Sequence, residues 1–519
     1  MRAIDILNVE CLARNSCSSP SNDTHPIHFS SVDDPDFVKQ LQFQLEIKAN
    51  PDEFPRLLEC FIAVCGSIIG DTAAHSTSLV VPGYDKSMTT PPKSRRSHTS
   101  APQSVESLLA PRPLDLTAGR TVPRVQVKSP TSHPFLYRKR LGDIAPGIRD
   151  GDLVQVTHGS GTVLGYGFYN SKAEIGVRML SLGPDPIDAP FWDAILSRAV
   201  DLRTQFLKLN EQTDTYRLIH AEGDGLSGLV IDRYGDTLSA EVYSLAMLQR
   251  VDAILERLQA LCGTKHWRVR TAPQVHGQEG FVGLEPKTSP EAPDRVTVQE
   301  FGTRFRVEFA GGHKTGFFCD QRDNRRRLAE FCRDRTVLDI CCYTGGFAVQ
   351  AKKLGQAREV TAIDLDEVPL ELAKENANLN QARVHFVHAD AYAYMRDMVR
   401  NGRKYEVVIL DPPKLIRNRL ELEEGTRAHF DMNRLAMQLV EPGGLLLTCS
   451  CSGLLDEPTF LRLLHSAAQK AVPQGSEIDL SRPGRTLQIL AKTGASADHP
   501  VTMTCPETEY LRAMWLRVM

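Results

Sequence analysis

The sequence predicts an α/β chain whose C-terminal part is a doubly wound parallel sheet, preceded by a small β-barrel and a small α+β unit. Three observations carry this reading. From about residue 297 onward, short apolar runs alternate with segments of helical periodicity, the pattern of repeated βαβ crossovers. Between His133 and Leu182 the runs are short and β-like and are punctuated by six glycines from Gly147 to Gly167, the texture of a small barrel. Between these two regions the helical stretch FWDAILSRAVDLRTQFLKLN precedes the strand-like LSGLVIDRYGDTLSAEVYSL. In the latter, Tyr234-Gly235-Asp236 marks a hairpin.

The chain has 519 residues, too many for one core. A formal charge of −3 with 24% charged residues advertises no polyanion partner globally, so any RNA contact is local. Twelve cysteines include no CxxC pair, which argues against a disulfide framework or a structural zinc site, and no metal is expected. No secretory signal is legible at the N-terminus. The apolar run from Leu57 to Gly70 is broken by Glu59 and falls short of the roughly 20 residues of a spanning helix. No membrane association and a cytoplasmic location are expected. Residues 1–130 read as a disordered extension, with a short helix near Phe37 to Leu45 and an apolar patch near Phe61. Its stretch from Lys86 to Ser132, rich in Ser, Thr, Pro and basic residues, buries too little apolar surface to fold. The barrel then spans 131–183, the middle unit 184–296 and the parallel-sheet domain 297–519.

In that last domain every junction of strand and loop carries a small or acidic residue suited to one part of an adenosyl cofactor. The first strand ends in VLDICCYTGGF, where Gly345 and Gly346 open a helix whose free N–H groups face a ligand. Asp339 and Tyr343 of the same segment are expected contacts. Asp364 stands 25 positions beyond Asp339, where a carboxylate can accept both ribose hydroxyls. Asp390 ends the third strand, within reach of an adenine amino group, and Asp411-Pro412-Pro413 ends the fourth. A nicotinamide cofactor is disfavoured, because no GxGxxG follows the first strand. S-adenosylmethionine is the expected cofactor.

The fifth strand, GGLLLTCSCSG, brings Cys449 and Cys451 to its carboxyl end. Carbon 5 of cytosine is a poor nucleophile until a thiolate adds at carbon 6, and loss of the carbon 5 proton then permits elimination. Two positions apart on a strand, both thiols point to one face, so alternation alone does not choose between them.

HKTGFFCDQRDNR (His313 to Arg325), YTGGFAV (Tyr343 to Val349), DPPK (Asp411 to Lys414), SCSG (Ser450 to Gly453) and ADHP (Ala497 to Pro500) resemble the bacterial large-subunit ribosomal RNA cytosine-5 methyltransferases. The resemblance covers about residues 131–519, including RLIHAEGDGLSGLVIDRYGD (Arg217 to Asp236). It implies a PUA-type RNA-binding barrel, a middle domain with a β-hairpin, a Rossmann-like class I methyltransferase domain, and large-subunit (23S) ribosomal RNA as partner. By the family spacing the catalytic cysteine is Cys451, seven positions after Gly444. The resemblance also assigns Asp411 to the cytosine edge as a catalytic residue as well as a cofactor contact. Lys414 is a candidate for holding a phosphate or lowering the thiol pKa. Gln321 is the leading cofactor contact of the HKTGFFCDQR segment and Asp320 the next, with Lys314, Arg322 and Arg325 placed to favour phosphates. Two rivals are a guanine-directed ribosomal RNA methyltransferase of the same fold, which needs no nucleophile, and a catalytically silent RNA-binding assembly factor. A homodimer is compatible with the sequence.

Overall fold

Glycine-punctuated β-runs form the first sheet of the computed structural model, which describes residues 105–114, 121–272, 276–281, 284–309, 316–471 and 484–519. Its strands are β1 (Arg124–Val127), β2 (Phe135–Tyr137), β3 (Leu141–Ile144), β4 (Leu153–His158), β5 (Thr162–Tyr169) and β6 (Ile175–Leu182). They lie in the order β2-β6-β5-β4-β1-β3. At Gly165 (φ +155°) a Cβ would sit 2.1 Å from the Ser181 carbonyl oxygen, so only glycine lets β5 and β6 approach there. One face packs around Val125, Val127, Leu136, Val154, Val156 and Val177.

The middle sheet contains β7 (Thr215–His220), β8 (Leu229–Tyr234), β9 (Thr237–Val242), β10 (His266–Thr271) and β11 (Lys287–Thr288). Tyr234 pairs with Thr237, so the expected hairpin turns on Gly235 and Asp236, with Gly235 at φ +58°. The Val251–Cys262 helix carries the chain from β9 to β10, which run parallel. Leu153, Phe168 and Leu180 of the first sheet share one apolar core with Trp192, Leu196, Leu218, Ile231 and Leu255. A hairpin of β12 (Arg295–Glu300) and β13 (Thr303–Glu308) follows.

The C-terminal sheet has seven strands: β14 (Thr336–Ile340), β15 (Glu359–Asp364), β16 (His385–His388), β17 (Tyr405–Leu410), β18 (Val440–Ser450), β19 (Leu487–Thr493) and β20 (Arg512–Val518). Their order is β16-β15-β14-β17-β18-β20-β19. The first five strands in chain order are parallel and β20 is antiparallel to both neighbours. β14, β15, β17 and β18 are buried on both faces, with Leu338, Ile340, Val408 and Leu410 in one core and Val337, Val407, Ile409 and Trp515 in the other. Strand order reverses between β14 and β17, and the crevice at their carboxyl ends is where such sheets bind ligands.

The first sheet starts earlier than residue 131. β1 pairs in parallel with β4, and Val125 and Val127 are buried. The Val105–Leu109 helix also docks, since Gln249 donates to the Leu108 carbonyl oxygen at 2.6 Å and Arg112 pairs with Asp152. Ser/Thr/Pro composition hid these short apolar elements. The readings near Phe37 and Phe61 lie outside the described residues. A chain beginning at Val105 is expected to keep cofactor affinity, whereas one beginning at Lys128 loses the two buried valines of β1. That loss is worth on the order of 3 kcal/mol or more and is measurable as a lowered urea midpoint.

Candidate functional site

The turn after β14 is built on left-handed backbone. Cys341 and Tyr343, neither of them glycine, have φ of +63° and +50°, and Gly345 follows at +78°. Such conformations persist only where surroundings over-determine them. Here the Tyr343 N–H donates to Asp364 Oδ2 at 2.7 Å, and the Tyr343 ring packs edge-on against Phe318 at 5.0 Å. A Cβ at Gly345 would lie 3.1 Å from that of Ala373, and one at Gly346 would lie 3.1 Å from Arg325 Cδ. The close approach expected at these glycines is therefore already made by the protein's own side chains.

Asp364 ends β15, half-buried, and its other oxygen accepts the Asp366 N–H at 3.0 Å. Each carboxylate oxygen has two acceptor sites, so capacity for two hydroxyls remains. The next residue, Leu365, is 66% exposed and offers an apolar face beside the carboxylate. Asp390 is exposed and caps the Ala391–Arg400 helix through the Ala393 N–H. Asp339 is buried: Oδ2 accepts the Ala348 N–H, and Oδ1 has no hydrogen-bond partner among the described residues. Burial, reinforced by the negative charge of Asp411, pushes its pKa up to about 8. A buried, unsatisfied carboxyl oxygen at the switch point suits a cationic or N–H-bearing group of a ligand.

Gln321 is held by a hydrogen-bond chain of fixed polarity. The indole N–H of Trp515 can only donate and does so to Thr493 Oγ1 at 2.8 Å. The Thr493 hydroxyl then donates to Asn324 Oδ1 at 2.7 Å, and Asn324 Nδ2 donates to Gln321 Oε1 at 2.6 Å. Gln321 Nε2 is thereby turned toward Asp411 Oδ2, at 3.1 Å. Asp411 stands half-buried just beyond β17. Trp515 and Thr493 lie outside the motifs that sequence reasoning selected, and Asn324, though inside HKTGFFCDQRDNR, was assigned no role there.

The two thiols occupy different environments. Cys449 lies inside β18 opposite Ala513 with no exposure, and burial, then the charge of Asp411, pushes its pKa well up. Cys451 lies one residue past the end of the strand and is half-buried. Buried serines flank it. Ser450 Oγ lies 3.3 Å from Nε2 of His429, a histidine held neutral by burial (pKa lowered to about 4), and Ser452 Oγ accepts the Ile416 N–H at 3.2 Å.

Other expected contacts go elsewhere. Arg322 is buried in a bidentate pair with Asp498, and Arg325 in one with Glu300, so neither faces a phosphate as expected: their apolar surroundings demand a fixed counter-charge. Asp320 accepts the Tyr510 hydroxyl at 2.6 Å. Lys414 is exposed, and Lys314 lies outside the described residues. His133, Cys505 and Glu507 bring potential metal-ligand atoms within 4.8 Å of one another. However, the Phe135 N–H donates to His133 Nδ1 at 3.0 Å, which leaves Nε2 as the protonated nitrogen facing Glu507 rather than a metal lone pair.

A family model of S-adenosylmethionine-dependent methyltransferases matches residues 283–474, and one of PUA-like domains matches residues 129–182. Two solved structures share the fold. One is a methyltransferase-class chain complexed with SAH (TM-score 0.63, 20% identity, covering 76% of this chain and 100% of that one). The other is a SAM-dependent methyltransferase-class chain from Streptococcus mutans (TM-score 0.61, 18% identity, 76% and 100%). Fold and site together define a class I methyltransferase that uses S-adenosylmethionine. Among curated proteins, the ribosomal RNA large subunit methyltransferase I of Aeromonas hydrophila is 34% identical over 74% of this chain and 95% of its own length. That of Tolumonas auensis is 35% identical over 75% and 96%. The chain belongs to this ribosomal RNA large subunit methyltransferase I family.

Proposed function

We propose that the chain methylates carbon 5 of a cytosine in large-subunit ribosomal RNA through a covalent adduct with Cys451. One observation carries this reading: a half-buried thiol stands just past β18 while Asp411 stands just past the adjacent strand β17, both at the carboxyl edge of the cofactor sheet. The names of the relatives supply the RNA class. When bound, S-adenosylmethionine supplies an electrophilic methyl group. Asp364 would hold the ribose hydroxyls, and Leu365 and Asp390 would flank the adenine. Asp339, Tyr343, Gly345 and Gln321 line the remainder. The Cys451 thiolate bonds to carbon 6, Asp411 steadies the pyrimidine edge at ring nitrogen 3, and carbon 5 takes the methyl group. With the methyl donor left as neutral S-adenosylhomocysteine, transfer of the carbon 5 proton to water then breaks the bond between carbon 6 and Cys451 and restores the thiolate.

Incubating protein-free large-subunit ribosomal RNA with the enzyme and methyl-labelled cofactor, followed by nucleoside analysis, tests the assignment. Label in 5-methylcytidine is expected. Label in a methylated guanine would transfer the site to the guanine-directed reading, and no label in RNA would favour an assembly role.

Asp364→Ala is expected to weaken cofactor binding by about 10- to 100-fold, since loss of a charge-assisted contact costs roughly 1.5–3 kcal/mol. The Tyr343 turn loses an anchor as well. Calorimetry on the folded variant checks this, and an unchanged dissociation constant would remove Asp364 from the ribose.

The basic trio Arg138–Arg140 forms an exposed or half-exposed single turn between β2 and β3, suited to phosphates of the RNA. Replacing all three by glutamine is expected to weaken RNA binding and to flatten its log–log salt slope by up to about 3, near 0.9 per phosphate for duplex and 0.7 for single strands. An unchanged slope would move the RNA surface to another domain.

A further inference from the structure

The loop that leaves Asp411 presents an apolar side chain to solvent on a braced turn. Leu420 is 96% exposed and sits in the single turn Arg419–Glu421. Asn418 caps that turn, its Oδ1 accepting the N–H groups of Leu420 and Glu421 at 2.9 and 3.3 Å. Glu421 closes the loop from the other side: one carboxylate oxygen accepts the Arg417 N–H and the other the Asn418 amide, both at 2.9 Å. Five residues earlier the loop is stapled beside the thiol, because the buried Ile416 donates its N–H to Ser452. Gly425 makes that seat, since a Cβ there would lie 2.4 Å from Ile416 Cγ1. Leu420 lies four positions beyond the staple, so its backbone stands within about 14 Å of it.

Lys414, Arg417 and Arg419 are exposed on the same loop, and Glu424 is exposed just beyond it. Glu421 is turned into the loop and Glu423 pairs with Arg427. An exposed leucine on a hydrogen-bonded turn, with three exposed cations in the same loop and the proposed nucleophile's neighbour stapled to it, suits the stacked bases and phosphates of RNA.

We propose that Leu420 is a wedge that enters the RNA stack vacated when the target base turns into the pocket, with the loop's cations holding the flanking phosphates. This rests on the reading that the substrate is a base within RNA. Enzymes that act on stacked bases must meet an unstacking cost that single-stranded targets largely lack, so a wedge matters only where the target is stacked.

The test uses the full chain and its Leu420→Ala variant on two RNAs: protein-free, folded large-subunit ribosomal RNA, and a single-stranded 12-mer copied from the position the wild type methylates in it. The variant is expected to lose at least tenfold in kcat/KM on folded RNA while staying within twofold of wild type on the 12-mer. Equal activity of the two proteins on folded RNA would overturn the wedge and leave the substrate reading standing; a defect seen only on assembled ribosomal particles would overturn it in favour of a protein contact. Equal loss on both RNAs would also overturn it, by placing Leu420 in general binding. Failure of the wild type itself to methylate any RNA would overturn both readings.

Discussion

Cys451→Ala is expected to lower methyl transfer to RNA by on the order of 10⁴-fold or more while leaving cofactor affinity within about twofold. Sulfur is needed to form the bond to carbon 6 and not to hold the adenosyl group, so its loss acts on the chemical step alone. Cys449→Ala is expected to retain substantial activity. That thiol is wholly buried on β18, and burial beside the Asp411 charge keeps it protonated, so its removal costs packing of about 1 kcal/mol rather than chemistry. RNA containing 5-fluorocytosine separates the cases, because the fluorine leaves no proton for elimination. Wild type and Cys449→Ala should trap a stable protein–RNA adduct, visible as a band of raised mass under denaturing conditions, and Cys451→Ala should not. An adduct that depends on Cys449 would reverse the assignment. Full activity in both variants would end the covalent mechanism and bring the guanine-directed reading forward.

The difference between these thiols was not legible in the sequence, because it depends on where β18 stops. Alternation places residues 449 and 451 on one face only if the strand continues, and it ends at Ser450. The central parallel strands were legible, since burial on both faces leaves largely apolar runs such as YEVVILDPP and TVLDICC. β19 was not: Gln488, Ile489 and Leu490 are exposed at the sheet edge, so no buried period marks the strand. The acidic residues at the strand ends were legible individually, since topology brings them together once the strands are ordered. What supports them was not. Trp515, Thr493 and Asn324 orient Gln321 from positions up to 191 residues apart in sequence, and no local pattern encodes a hydrogen-bond polarity. Arg322 and Arg325 show the converse error. Their spacing in HKTGFFCDQRDNR suggested anion binding, but their counter-charges, Asp498 and Glu300, lie far off in the chain.

Asp498→Asn is expected to destabilise the folded chain by about 3–5 kcal/mol, the range for breaking a buried pair by removing one partner. Asp498 has no exposure and accepts both Arg322 Nη groups, at 2.9 and 3.0 Å, together with the Arg217 N–H at 2.8 Å. Its own carbonyl oxygen accepts Arg203 Nη2 at 2.6 Å, and Arg203 is paired in turn with Asp224. The ADHP motif thus fastens the middle sheet to the methyltransferase domain, and an amide there leaves the buried Arg322 guanidinium with only the exposed Asp323 carboxylate, 3.3 Å from its Nε. The pH dependence separates this pair from its neighbours. Arg322 and His499 hold the Asp498 carboxyl well below the usual carboxylate range against the opposing effect of burial. Its contribution is therefore fully present above the unfolded value near 4 and is lost as pH falls through the folded one. His220 behaves in the opposite sense. Burial, then the charge of His499, lowers its pKa well below 6.5, so the unfolded chain takes up a proton that the folded one refuses, and stability falls as soon as pH drops below about 6.5. Urea midpoints of wild type and Asp498→Asn measured at pH 7.5, 5 and 3 should show both proteins losing stability between 7.5 and 5, with no narrowing of the gap between them. The gap should begin to narrow only between 5 and 3, because most of the loss lies at still lower pH, near the folded pKa. A gap that closes above pH 5, or is absent at pH 7.5, would show that the Asp498–Arg322 pair does not bear this part of the fold's stability.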